Sequence, residues 1–291
     1  MREGVLAAVD LLDGTEAVLT SAEVLAQRLG WPLVALHVVE NGYLKSAPRR
    51  FARVWRPEYE KTLEAADRVL RGLAEAALKR VVPPDAEVLI RSGHPARQVA
   101  GEALRRRLVV LAAEGATPLE RVARGGVSHY LMHLGEVPVL LVAADQPLLK
   151  LDRIGVAVDV SEAGRAAWRY AEALAEAVGA EPVAFHLVSL APGTCCVPTY
   201  LPQEYLEEER VVQHAQKALR EKLGIPEERL VVARGDEVGG LLDLAREHGV
   251  DLLVVGSKAK SSHRARIGRN VVELVYRADR PLLVVPEATK P

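Results

Sequence analysis

The segment Val5-Leu6-Ala7-Ala8-Val9-Asp10 occurs again, in similar form, as Ile154-Gly155-Val156-Ala157-Val158-Asp159. The aspartates that end these two segments are 149 residues apart. The same offset separates His37 from His186, which lie in the matching apolar segments Leu-His-Val-Val and Phe-His-Leu-Val. Self-similarity at a fixed offset is the signature of a duplicated structural unit.

The repeat continues to the end of the chain. Residues 137–142 match residues 280–285 at an offset of 143, so the order of the matches is preserved while the offset changes slowly. The 291 residues are therefore predicted to form one domain present twice, over residues 1–146 and 150–291.

Each copy alternates short apolar runs with amphipathic helical patterns. In the first copy these runs predict strands buried on both faces, at residues 4–9, 33–39, 86–90, 108–112 and 138–143. Alternating strands and helices indicate a Rossmann-like, doubly wound parallel sheet in each copy. Ligands of such sheets bind at the carboxyl ends of the strands, near the topological switch point.

Two helices of the first copy are predicted in detail. The first has an apolar stripe at Val18, Ala22, Leu25 and Leu29. It is predicted to end at Gly30, as its counterpart ends at Gly179. The second, at about residues 57–80, is predicted to direct five apolar side chains toward the sheet, namely Leu63, Ala66, Leu70, Leu73 and Ala77.

Composition excludes several classes of protein. The chain has 49% hydrophobic and 26% charged residues, which is typical of a globular protein. Its net charge is −1, so the chain lacks the excess of basic residues that is typical of proteins that bind nucleic acid or membranes. No apolar run is long enough to span a bilayer and no signal peptide is evident, so we expect a cytoplasmic protein. Two adjacent cysteines, Cys195 and Cys196, cannot form a disulfide framework.

A glycine-containing loop follows the fourth strand of each copy. In the first copy the loop begins at Ala112-Ala113-Glu114-Gly115. It ends at Gly125-Gly126-Val127-Ser128, which opens the next helix. In the second copy, the corresponding segments are Gly256-Ser257-Lys258-Ala259 and Gly268-Arg269-Asn270. Glycines let the backbone approach a ligand closely, and a helix N-terminus offers free N–H groups, so both loops suit an anion.

This arrangement resembles the universal stress protein family in its tandem, two-domain form, over nearly the whole chain. The resemblance implies an adenine nucleotide alpha hydrolase-like fold. It also implies ATP, with Mg²⁺, as the ligand of the nucleotide-binding members. The base and ribose would lie near the first-strand Asp and the end of the second strand, with the phosphates in the glycine loop. The candidate site residues are Asp10, Val39, Gly115, Gly125, Gly126, Ser128, Asp159, Val188, Gly256, Lys258, Gly268, Arg269 and Asn270. Of these, Ser128, Lys258 and Arg269 are not given by the resemblance and are included as donors that compensate for departures from the family motif.

Neither copy matches the family motif G-x2-G-x9-G-[ST]. The first copy has Ala112 for the first Gly and Gly126 for Ser/Thr. The second copy has Ala259 for the second Gly, is one residue short and has Arg269 for Ser/Thr. The second loop compensates with a strongly basic set of side chains, since it carries Lys258, Lys260, Arg264, Arg266 and Arg269. Two hypotheses therefore remain. In the first, at least one copy binds a nucleotide, and the second copy is favoured. In the second, the protein is a degenerate interaction module that binds no nucleotide.

A third hypothesis is slow nucleotide hydrolysis. The sequence contains no P-loop, no dinucleotide fingerprint, no nucleophile elbow and no H-E-x-x-H pair. We therefore assign no catalytic residue and expect weak hydrolysis at most.

The resemblance implies that the last strands, residues 137–143 and 281–285, pair within the chain as a pseudo-dimer that can itself dimerise. It also implies a sensor or switch in stress response that binds a protein partner, whose identity the sequence does not give.

Several residues have a structural as well as a functional interpretation. Asp10 and Asp159 either contact a ligand or bind backbone N–H groups at a helix entry, although Asp13 and Ser161 are better placed as caps. His37 and His186 are interpreted as structural. Cys195-Cys196 is interpreted as two ordinary thiols rather than a redox pair. The basic and aromatic segment 43–56 is interpreted as a helix-flanking loop rather than a surface for single-stranded nucleic acid.

Overall fold

The computed structural model describes residues 3–40, 52–113, 126–188, 208–258 and 267–289, without the side chains of 52–60 and 208–209. The chain divides into two compact units, Met1–Leu149 and Lys150–Pro291. Predictions for Gly115, Gly125, Ala259, Cys195 and Cys196 lie outside the described residues, as does most of segment 43–56.

The first unit is a doubly wound α/β domain. Its described elements are β1 (Val5–Val9), α1 (Thr15–Leu29), β2 (Leu33–Val39), α2 (Ala52–Leu78), β3 (Glu87–Ser92), α3 (Pro95–Ala103), β4 (Leu108–Ala112), α4 (Val127–Leu134) and β5 (Val139–Val142). The strands pair in the order β3-β2-β1-β4-β5, and each pair is parallel. The switch point therefore lies between β1 and β4.

The second unit repeats this topology. Its described elements are β6 (Arg153–Ala157), α5 (Glu162–Val178), β7 (Glu181–Val188), α6 (Glu208–Leu223), a 3₁₀ turn (Glu227–Arg229), β8 (Leu230–Arg234), α7 (Gly239–Glu247), β9 (Leu252–Ser257), α8 (Arg269–Arg277) and β10 (Leu282–Pro286). The order β8-β7-β6-β9-β10 is again parallel throughout. The predicted fold class is confirmed.

Strands whose residues are all buried form the core of each unit. All five residues of β1 and all four of β5 are buried, as are all five of β10. Such strands have apolar side chains on both faces because helices cover both faces of a parallel sheet. Edge strand β3 is only partly buried, and its prediction as residues 86–90 missed its last two residues.

The prediction for α2 is wrong at two positions. Leu73 is 63% exposed and Ala77 is also exposed, whereas Ala74 and Leu78 are buried. The buried residues Ala74 and Leu78 follow Leu70 at intervals of four, which keeps them on the side of the helix that faces the sheet. The predicted interval of three, from Leu70 to Leu73, places Leu73 on the exposed side.

Helix ends agree with the sequence in part. Gly30 and Gly179 adopt left-handed conformations, with φ of 63° and 70°, as predicted for C-caps. The hydroxyl of Ser161 caps α5 by accepting a hydrogen bond from the Gly164 N–H at 3.2 Å. The prediction for Asp13 is wrong, because the N-cap of α1 is Gly14. Among the described helices, none has the length and apolar character to cross a bilayer.

The first unit contains an ion pair that the second replaces with apolar residues. Arg91 donates to Oε1 of Glu102 through Nε at 3.1 Å and Nη2 at 2.8 Å. The Glu102 side chain is 9% exposed. Ala233 and Leu244 stand at the matching positions of the second unit.

We expect Glu102→Ala to lower the free energy of unfolding by about 2 kcal/mol, because it leaves the Arg91 guanidinium without its carboxylate. This value lies between exposed pairs, about 0–1 kcal/mol, and fully buried ones, about 3–5 kcal/mol. The double variant Arg91→Ala/Glu102→Leu, which copies the second unit, should stay within about 1 kcal/mol of the native chain. Urea unfolding measures both. Glu75→Ala, which breaks an exposed pair with Lys79, is the control and should change nothing.

A second charged cluster joins α7 to the start of β10. The Asp279 carboxylate accepts from Arg246 Nε at 2.6 Å and from Arg280 Nε at 2.9 Å. Burial opposes ionisation of Asp279, but these two guanidinium groups outweigh it and hold its pKa below the usual value.

Because the folded-state pKa of Asp279 is depressed, its contribution to stability is present above the unfolded pKa of about 3.9 and is lost as the pH falls further. Asp279→Asn should therefore destabilise the chain by about 0.5–1 kcal/mol at pH 7, and the difference should shrink below about pH 4. Unfolding curves from pH 3 to 7 test this. Asp243→Asn, at an exposed partner of the same Arg246, should have no effect. A difference that grows on acidification contradicts the assignment.

Candidate functional site

Each unit has a cavity at the carboxyl ends of its strands, beside the switch point. The cavity of the first unit has a volume of about 430 Å³, and that of the second about 370 Å³. Ligand pockets in proteins span roughly 300–1,000 Å³, so both have the size of a small-molecule site. The first is lined by the ends of β1, β2 and β4, and the second by those of β6, β7 and β9.

An aspartate follows the first strand in each cavity. Oδ1 of Asp10 accepts from the Leu12 N–H at 2.9 Å and from the Thr15 hydroxyl at 3.5 Å. Oδ1 of Asp159 accepts from the Ser161 N–H at 3.1 Å and from the Ser161 hydroxyl. Both aspartates hold the entry to a helix through Oδ1. Their second oxygen takes part in none of these bonds, so it can accept from a ligand hydroxyl.

The two histidines also line the cavities. Nδ1 of His37 donates to the Val9 carbonyl at 2.9 Å, and Nδ1 of His186 donates to the Val158 carbonyl at 2.8 Å. Each imidazole thus bonds the chain that leaves the first strand. These bonds favour the structural interpretation of the two histidines.

Gly256 is required by a close approach between β9 and α5. A Cβ atom at Gly256 would lie 2.1 Å from the Ala163 carbonyl oxygen, which is backbone and cannot turn away. The first unit has the opposite pair, because Ala112 matches Gly256 and Gly14 matches Ala163. A Cβ atom at Gly14 would lie 3.2 Å from Cβ of Ala112.

The exchange of glycine and alanine accompanies a difference in where the first helix begins. Helix α5 begins at Glu162, which matches Asp13, whereas α1 begins two positions later at Thr15. In the first unit the intervening residues form a loop with φ of 64° at Leu11 and 94° at Gly14. Ala112 is therefore accommodated by local packing, and its methyl group carries no information about the ligand.

One side of the second cavity is built around the N-terminus of α8. Gly268 is the N-cap and supplies no side chain, so the first N–H groups of α8 lack an intrahelical acceptor. Lys258, Arg269 and Asn270 line the same cavity, and the Asn270 amide donates to Glu237. Free N–H groups, the helix dipole and two cations together favour a bound anion.

Ser257 adds an unpartnered polar group to this cavity. The residue is 3% exposed, and its hydroxyl has no hydrogen-bond partner among the described residues. Buried hydroxyls are nearly always hydrogen-bonded, so this hydroxyl in a cavity wall indicates a partner outside the described residues. The sequence analysis missed Ser257, although a hydroxyl that ends an otherwise apolar strand was a usable signal. It also missed Glu237, which is 33 residues from Asn270 and has no local signal.

The cavities bring together most of the described site residues that the sequence predicts. Asp10 and Val39 line the first, and Asp159, Gly256, Lys258, Gly268, Arg269 and Asn270 line the second. Gly126 is the N-cap of α4, where Val127 is the residue that reaches the first cavity. Ser128 lies within α4 and Val188 ends β7, and neither is among the described lining residues. In the described ranges, no three His, Cys, Asp or Glu side chains are grouped to hold a metal ion.

Two doubly wound α/β domains in tandem, each with a cavity at the switch point, define the class of this protein. The model of the universal stress protein family matches residues 1–143 and again residues 150–286. The chain belongs to the universal stress protein family. A comparison with curated protein sequences gave no significant match.

Solved structures have the same fold. A universal stress protein from Archaeoglobus fulgidus DSM 4304 is 18% identical, and the match covers 97% of this chain and 96% of that one with a TM-score of 0.62. A functionally unknown protein from Pseudomonas aeruginosa PAO1 is 16% identical over 98% of this chain and 93% of that one, with a TM-score of 0.61. A universal stress protein in complex with cAMP matches 47% of this chain at 20% identity and a TM-score of 0.32. At these identities the first two structures show the fold alone, and the third, of which the match covers 98%, supports no conclusion about this chain.

Two of the glycines that line the second cavity, Gly256 and Gly268, should respond differently to alanine. Gly256→Ala must shift backbone, and we expect it to lower the free energy of unfolding by about 1–3 kcal/mol. Gly268→Ala should stay within about 0.5 kcal/mol, because its φ is −55° and its Cβ would lie 3.9 Å from Val271. Chemical denaturation compares the two variants. Equal losses would show that the close approach to Ala163 is unimportant.

Proposed function

We propose that the chain binds an adenine nucleotide, ATP or a close relative, in the cavity of the second unit. The observation that carries this proposal is the buried hydroxyl of Ser257, which has no partner in the part of the chain that the structure describes, in a cavity that also contains the uncapped N-terminus of α8. Lys258 and Arg269 supply positive charge at the same place. A phosphate group accepts hydrogen bonds from all of these donors.

The opposite side of the cavity suits a base and a ribose. Asp159 offers Oδ2 to a ribose hydroxyl, while Phe185, Leu187 and Leu241 form an apolar wall for the base. Mg²⁺ enters with the nucleotide, held by its phosphate oxygens, since no metal cluster occurs among the described residues. The choice of adenine comes from the family to which the chain belongs.

Within the cell, this binding serves stress response. Nucleotide binding changes the surface around the N-terminus of α8, and a protein partner binds that surface in one of the two states. On this proposal the protein is a cytoplasmic sensor or switch rather than an enzyme. The pairing of the two last strands within the chain, and dimerisation of the chain itself, remain predictions.

Calorimetric titration of the purified chain with ATP and Mg²⁺ tests the proposal. Lys258→Ala and Arg269→Ala should each weaken ATP binding about tenfold, because a hydrogen bond to a charged group contributes about 1.5–3 kcal/mol. The weakening should be largest at low salt. Lys79→Ala removes one positive charge from an exposed pair in the first unit and is the matched control, with no expected change.

Two results count against nucleotide binding. One is an absence of ATP, ADP and AMP binding by calorimetry, together with no nucleotide released when the purified protein is denatured. The other is ATP binding that Lys258→Ala, Arg269→Ala and Lys79→Ala all leave unchanged. GTP, titrated in parallel, tests whether the base is recognised and should bind more weakly than ATP.

A further inference from the structure

We propose that the cavity of the first unit binds a ligand without phosphate, namely a nucleoside, so that the two cavities of the chain divide ligands by charge. The inference rests on the proposed function in one respect, since it takes the second cavity as the nucleotide site. It deepens that function by assigning a different class of ligand to the duplicated cavity.

Among the residues that the structure describes, the first cavity lacks the donor side chains proposed to bind phosphate in the second. Four positions of the second cavity supply hydroxyl, ammonium, guanidinium and amide donors, and the matching positions of the first do not. Ser257, Lys258, Arg269 and Asn270 are matched in sequence by Ala113, Glu114, Gly126 and Val127. All four donors are thus replaced, three by side chains that cannot hydrogen-bond an anion and one by a carboxylate.

The charges that line the first cavity are also unfavourable for an anion. Its described lining contains the carboxylates of Asp10 and Glu40 and neither Lys nor Arg. In the second cavity, Asp159 and Glu237 are balanced by Lys258 and Arg269. A phosphate with a charge near −2 would be repelled by two carboxylates in a partly desolvated site. A neutral ligand with hydroxyl and amino groups would instead donate to them.

The half of the cavity that suits a base and a sugar is retained. Asp10 is held by the Leu12 N–H as Asp159 is held by the Ser161 N–H, and both keep Oδ2 out of these bonds. His37 makes the same main-chain bond as His186. The remaining wall of the first cavity is apolar and includes Val39, Leu70 and Val99. This combination of a flat apolar wall and a free carboxylate oxygen fits a nucleoside.

Titration of the chain with adenosine after saturation with ATP and Mg²⁺ tests the inference. ATP should bind with a stoichiometry of one per chain, and adenosine should then bind at one further site. Asp10→Ala should weaken this adenosine binding at least tenfold and leave ATP binding unchanged. Added salt should weaken ATP binding strongly and adenosine binding little.

A graft provides a second measurement that does not depend on loss of function. The triple variant Ala113→Ser/Gly126→Arg/Val127→Asn places three of the missing donors in the first unit, and the φ of −61° at Gly126 is open to arginine. Its ATP stoichiometry should rise from one to two.

The outcomes separate the two proposals. Two ATP molecules per native chain, or adenosine that ATP displaces completely, overturn the inference and leave the proposed function standing. Adenosine binding that Asp10→Ala does not change, with a graft that still binds one ATP, also overturns the inference. If adenosine binds in an Asp10-dependent way but ATP does not bind at all, the proposed function fails and the ligand class of the first cavity is supported.

Discussion

The contact between the end of the fourth strand and the start of the first helix governs each site. In the second unit the Ala163 carbonyl comes so close to β9 that only glycine fits at position 256. This contact lets α5 begin two positions earlier than α1 and lets Ser161 cap it. In the first unit Ala112 occupies the strand end, and the chain instead passes through Gly14 with φ of 94°. Both solutions leave the aspartate at the same place, bonded through Oδ1 to the N–H group two residues later.

The duplicated units have diverged by exchanging residues that act together. The Arg91–Glu102 pair corresponds to Ala233 and Leu244, an exchange of ionic for apolar partners of the kind that proteins tolerate when both members change. The Gly14–Ala112 pair corresponds to Ala163 and Gly256, where the backbone path differs: the Ala163 carbonyl excludes a side chain at Gly256, whereas the first unit passes Ala112 with φ of 94° at Gly14. The fold is thus preserved by paired changes. The part of the cavity beside α8 differs more, because Ser257, Lys258, Arg269 and Asn270 are matched in sequence by Ala113, Glu114, Gly126 and Val127.

The fold could be predicted almost completely from the sequence, because strands buried on both faces produce apolar runs that need no tertiary information. The helical face of α2 could not, since Leu73 and Ala74 are both apolar and only the position of the sheet decides which is buried. Asp13 was a reasonable cap by residue type, but the packing of Gly14 against Ala112 sets where α1 begins. Gly256, Lys258 and Arg269 were predicted from the loop pattern and Asp159 from the end of the repeated first strand, whereas the role proposed for Ser257 depends on its burial, which a sequence does not give.

The loss of a glycine from the family motif does not by itself show that the first unit has lost its cavity. Ala112 breaks the family pattern at its first glycine, which at the level of sequence counts against a ligand in the first unit. The structure assigns the glycine at this position to helix packing, so its replacement leaves a cavity of about 430 Å³ intact. The loss that matters for an anion lies one and two residues further along, where Ser257 and Lys258 are matched by an alanine and a glutamate. Some motif glycines avoid a steric clash within the protein, whereas hydrogen-bond donors in the cavity act on a ligand. The two kinds of residue are lost for different reasons. Only the second kind of loss changes what a site can bind.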